Sequence, residues 1–245
     1  MKKVAFFMFL VVFLAFSQEQ SLVSFNYGAD VVSRYIWRGM EFGENTPHIQ
    51  PWGGFTFNLG KAGQIDFGFW ASYGLSSEGS KYSENDLNFK YSYNADFGTI
   101  ALTLNDYYYP YLSNFSNFKK DGNGGHTAEA GLVFDGSENF PIHILVSTNF
   151  YNQALLANGD KENALYAEVG YKFKLNDVEL SPIVGVAQGE SIWHQVTTDK
   201  FEVINVGITA SKEIKISNEF SLPTAVSWIW NPHLKKTYTV FKISL

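Results

Sequence analysis

From Phe25 to Leu245 the chain is built from one recurring unit. Segments of about ten residues alternate apolar with polar or small side chains, and each segment ends in a turn. The turns alternate as well, short then long. This double alternation specifies an antiparallel transmembrane β-barrel, with short turns on the periplasmic side and longer loops on the extracellular side. A soluble β-sandwich also contains many short strands, but nothing would keep the turns short along one side.

The N-terminus agrees with export. Met1-Lys2-Lys3 is a basic start, Val4 to Phe16 is apolar, and Ala15-Phe16-Ser17 sets small residues around a cleavage site before Gln18. Residues 1–17 are therefore expected to be a signal peptide, and 18–245 a single barrel domain. The apolar run is too short to span a bilayer as a helix. Mean hydropathy is −0.11, yet 17% of residues are aromatic. A wall with one face toward lipid and the other toward a polar lumen reconciles the two values, because its average hydropathy cancels.

Cysteine is absent, which excludes disulfides and thiolate metal sites. The formal charge of −6 becomes −8 once Lys2 and Lys3 are removed with the signal. An acidic exported chain with no basic cluster is a poor nucleic-acid binder. The expected surroundings are outer-membrane lipids, small polar solutes and, during biogenesis, the barrel-assembly machinery. No cofactor is implied.

Strand parity assigns the faces. The first strand reads Phe25 to Arg38, with Tyr27, Ala29, Val31, Tyr35 and Trp37 outward and Asp30, Arg34 and Arg38 toward the lumen. The cleanest alternation sets Phe67, Phe69 and Tyr73 outward against Asp66, Trp70 and Ser72. Further strands are expected near Thr127 to Phe134, Ile142 to Tyr151, Leu165 to Leu175, Val178 to Gln188, Phe201 to Ser211, Phe220 to Trp230 and Thr237 to Leu245, about twelve in all. Gly39 to Pro47, Tyr107 to Gly125 and Lys212 to Glu219 read as connections. The chain ends in Leu245, where many outer-membrane barrels end in an aromatic residue.

Asp30-Val31-Val32-Ser33-Arg34-Tyr35-Ile36-Trp37-Arg38-Gly39, followed by Pro47 and Gln50-Pro51, resembles the opening of the TorF-type porin family of exported, largely uncharacterised proteins. The resemblance covers about the first quarter of the chain. It implies an outer-membrane barrel with a channel-like role and supplies no catalytic residues.

The candidate pore-lining residues are Asp30, Arg34, Arg38, Trp70, Lys90, Glu129, Glu168 and Lys172. Arg34 and Arg38 near the mouth could steer anionic solutes, or pair with Asp30, Glu129 or Glu168 and stiffen the wall. Trp52, Trp70, Tyr107 and Tyr109 could stack solutes or fill a narrow interior. Passive or weakly selective diffusion of small polar solutes is the leading expectation. A closed structural or adhesive barrel and a lipid-modifying enzyme are the alternatives. No Gly-x-Ser-x-Gly motif is present. His143 and Ser147 stand about 13 Å apart along one strand, too far to form a nucleophile–base pair.

Overall fold

The computed structural model describes residues 22–77, 79–120, 124–153, 156, 159–162, 164–189 and 193–245; the expected signal peptide lies outside them. Fifteen strands follow in order: β1 (Val23–Val32), β2 (Tyr35–Trp37), β3 (Met40–Phe42), β4 (His48–Asn58), β5 (Gln64–Gly74), β6 (Glu84–Ala95), β7 (Gly98–Tyr108), β8 (His126–Gly136), β9 (Ile142–Tyr151), β10 (Leu165–Tyr171), β11 (Phe173–Leu175), β12 (Val178–Gln188), β13 (Phe201–Lys215), β14 (Ser221–Asn231) and β15 (Lys236–Ser244).

All but β2 and β3 belong to one antiparallel sheet that closes on itself. The two halves of one broken stave, β10 and β11, both pair with β12, so the barrel has twelve staves. The seam between β1 and β15 closes the wall through only three ladder pairs, Asp30 with Ser244, Val31 with Ile243 and Val32 with Lys242. Leu245 extends it, exchanging backbone hydrogen bonds with Ala29 at 3.1 and 2.8 Å. Closure pairs the two outermost staves over the upper part of β1, while Val23 to Gly28 have ladder partners on β4 alone.

The connections differ between the two ends. Asp96-Phe97 and Asn176-Asp177 turn within two residues. At the opposite end, residues 33–47, 109–125 and 189–200 make long excursions. Side-chain parity places Phe55, Phe67, Phe69, Leu87, Leu132, Val184, Trp228 and Phe241 on an exposed apolar outer face. Ser72, Asp86, Glu129, Ser147 and Asn205 are buried on the inner face. The assignments of Val31 and Phe69 to the outside, and of Asp30 and Trp70 to the inside, follow the same parity.

The expected strand from Phe25 to Arg38 is not continuous. The stave ends at Val32, bends through Ser33-Arg34, and the chain turns inward as the β2–β3 hairpin. Its turn is Arg38-Gly39, with φ of 49° and 78°. Two consecutive positive φ values make the tight turn whose twist matches the strands it joins. Tyr35 and Trp37, expected outside, are therefore inside, because a segment that leaves the wall no longer obeys the parity of the wall. Part of the Gly39 to Pro47 connection is β3. The connection expected from Lys212 is shorter too, because β13 continues to Lys215 in register with β14.

Candidate functional site

The β2–β3 hairpin crosses the lumen and is seated on the far wall. Met40 is fully buried, which contributes about 1.5–3 kcal/mol. At the tip the backbone of Gly39 passes so close to β13 that a Cβ there would lie 2.0 Å from the Ile204 carbonyl oxygen. Asn231 Nδ2 donates to the Gly39 carbonyl at 3.1 Å. Glycine is required twice at this position, by its φ and by this contact.

Beside Gly39, Arg38 extends to β8 and β9. Its two terminal nitrogens donate to Glu129 Oε2 at 2.7 Å and Oε1 at 2.9 Å, a two-pronged pair. A third bond goes to Ser147 Oγ at 3.0 Å, and Ser147 in turn donates to Glu129 Oε2 at 3.1 Å. Tyr107 donates to Glu129 Oε1 at 3.0 Å. The guanidinium lies between the rings of Trp37 and Tyr166, 4.2 and 4.3 Å from their centroids. The side chains of Arg38 and Glu129 are 8% and 2% exposed. Two charges buried this deeply need both the mutual pairing and the additional hydrogen bonds, and both are present.

A second inward element meets the hairpin. From the 189–200 connection, the buried His194 ring stacks between Trp37 at 5.8 Å and Tyr166 at 5.6 Å. Its Nε2 lies 3.4 Å from Arg38 Nη1 and, facing a permanent cation, serves as the acceptor. Burial, followed by the Arg38 charge, lowers the imidazole pKa to about 3. Nearby, Trp193 stacks on Tyr109 at 5.1 Å. Tyr109 and Tyr35 each donate to one oxygen of the buried Glu84, both at 3.0 Å. Hairpin and loop together fill the long-loop half of the lumen.

The expected pore-lining residues separate into three groups. Arg38 and Glu129 meet in the buried pair. Glu168 accepts from Tyr166 and from Asn205 Nδ2, the latter at 3.0 Å, so it supports the ring on which Arg38 rests. Asp30, Arg34 and Trp70 line an open part of the lumen on the short-turn side. Lys90 reaches Asp66 at 3.5 Å across the β5–β6 ladder. Lys172 sits exposed at the break between β10 and β11, away from the hairpin. Arg34, expected beside Arg38, instead pairs with Glu41 of β3 at 3.4 Å.

Sequence parity missed Tyr35, Trp37, Glu84, Tyr166 and His194 as members of the inner cluster. One partial signal was present: Gly39 after Arg38 is a residue that accepts the positive φ of a tight turn. The Tyr107 to Gly125 connection sends side chains to both faces of the wall. Tyr109 turns in toward Glu84, whereas Phe118 stacks at 4.1 Å on His126 at the outer face. There His126 Nδ1 pairs with Asp106 at 2.9 Å.

Among the described residues, no group of three or more His, Asp or Glu side chains is placed to hold a metal ion. Chemically, the arrangement ties the hairpin to β8 and β9 through a buried ion pair. No curated protein matches the chain. The family model described as "Bacterial protein of unknown function (Gcw_chp)" matches residues 17–239, and the chain belongs to that family.

Proposed function

We propose that the chain is an outer-membrane barrel, exported with its signal peptide removed, that passes small polar solutes along a narrow path controlled by the β2–β3 hairpin. It is assigned no catalytic role. The observation that carries this reading is a closed barrel, apolar outside and polar inside, whose inner occlusion is a hairpin rather than a packed core. Twelve staves enclose less than the 16–18 of general porins, so side chains control what passes. The resemblance of residues 30–51 to TorF-type porins supports the same role. Outer-membrane lipids surround the wall in this reading, and the barrel-assembly machinery inserts it.

A second reading has an observation of its own. The Arg38–Glu129 pair has the burial and bond count of a permanent fixture, which favours a closed barrel displaying its loops. Planar-bilayer recording of the purified protein separates the two. Reproducible single-channel steps support solute passage. A silent bilayer, with heat-modifiable migration proving an intact barrel, supports the closed reading. Fractionation that leaves the mature chain soluble in the periplasm overturns both.

A further inference from the structure

The hairpin does not fill the lumen. Beneath Tyr35 and Ile36, on the short-turn side, lies a cavity of about 460 Å³. Its size falls within the range of small-molecule sites, and its lining is organised in three parts.

The first part is cationic. Arg34 and Lys242 both line the cavity, against the single lining carboxylate Asp30. Each cation has only a stretched partner: Arg34 Nη1 to Glu41 at 3.4 Å and Lys242 Nζ to Asp30 at 3.4 Å. Bonds at that length are weak, and exchange for a ligand oxygen costs little. Arg34 Nε is buried and makes no hydrogen bond to any described residue. A buried donor left unmade is costly, and an oxygen placed there would remove that cost.

The second part is aromatic. Trp70 lines the cavity and packs on Tyr35 with ring centroids 5.4 Å apart. The third part is a set of hydroxyls on β13, β14 and β15. Thr209 and Ser227 bond each other at 2.8 Å, and Ser211 and Ser244 also line the cavity. A guanidinium and an ammonium suit one carboxylate, an indole suits the face of a saturated ring, and the hydroxyl set suits ring hydroxyls. A neutral sugar would leave both cations with only their stretched partners. A multiply charged anion would be opposed by Asp30 and by Glu41 behind Arg34.

We infer that this cavity binds a small hydroxylated monocarboxylate of the sugar-acid class, its carboxylate on Arg34 and Lys242 and its ring against Trp70. As a site for a passing solute it rests on the reading of the barrel as a passage. Its test, however, is binding in detergent, which needs no conduction.

Calorimetric titration of the purified full-length barrel with glucuronate is the direct experiment, with glucose and acetate as controls. Saturable glucuronate binding is expected, at least tenfold weaker for either control. R34Q and K242Q should each weaken it at least tenfold, while heat-modifiable migration shows that both variants still form barrels. No saturable glucuronate binding would overturn the inference. So would unchanged affinity in both variants, or glucose bound as tightly as glucuronate. Intact glucuronate binding in a protein that stays silent in bilayers would sink the passage and keep the site. Steps without binding would do the reverse.

Discussion

Arg38 and Glu129, 91 residues apart in the chain, close a two-pronged ion pair across the inside of the barrel. The pair joins the tip of the β2–β3 hairpin to β8, and through Ser147 to β9. The loss of either partner alone strands a buried charge.

Glu129→Gln should therefore cost about 3–5 kcal/mol of hairpin seating, the usual penalty for breaking a buried pair from one side. The double variant Arg38→Met with Glu129→Leu should recover most of it, since it removes both charges at similar volume. Protease protection of residues 35–42 reports the seating, and bilayer conductance should rise in the single variant only.

Gly39→Val tests the hairpin without touching a charge. Its branched side chain would meet the Ile204 carbonyl, at a backbone φ of 78° that such residues avoid. The wall itself does not depend on this turn. The expected outcome is a heat-modifiable barrel with normal migration and an enlarged, noisier conductance. Normal conductance in G39V would place the solute path elsewhere.

Acid should loosen the same assembly through His194. Its pKa is lowered from 6.5 to about 3, so the seated loop tolerates only the neutral ring. Arg38, Trp37 and Tyr166 are among the groups that face it, and the Arg38 charge opposes a proton on the imidazole. A depressed histidine pKa leaves the seating intact above about pH 6.5 and weakens it progressively as pH falls toward 3. Near pH 5 the loss amounts to about 2 kcal/mol. Fluorescence quenching of the tryptophans should increase between pH 6.5 and 4, and His194→Phe should abolish that pH dependence.

The wall predicts opposite outcomes for neighbours. Phe69 is outside and 47% exposed, whereas Trp70 lines the lumen. Phe69→Arg should impair insertion into vesicles by about 2–4 kcal/mol, the depth-dependent cost of a charge on the lipid face. Trp70→Arg should insert normally. Equal defects in the two would mean that the faces of β5 are not distinguished by lipid.

Most of the wall could be read in advance because period-two patterning acts locally: Phe67, Gly68, Phe69 and Trp70 each obey the stave they sit in. The bounds of β9 and β12 agree with the sequence reading for the same reason. Ser33-Arg34 has no such local marker. Past it, the alternation of Tyr35, Ile36 and Trp37 continues unbroken although the chain has left the wall, so the pattern carried the strand six residues too far, to Arg38 instead of Val32. The inner cluster was harder still. Glu129 and Arg38 were both expected inside, but their meeting depends on a reversal at Gly39 that no periodicity encodes. Tyr166 and His194 joined them through stacking across the lumen, a relation without any spacing in sequence.

The hairpin at residues 35–42 leaves the ribosome early, yet its anchors are scattered over Glu129, Ser147, Ile204 and Asn231. Its full set of anchors exists only once the penultimate stave has arrived. The last contacts of the hairpin and the seam of the wall therefore both depend on the final two staves, β14 and β15.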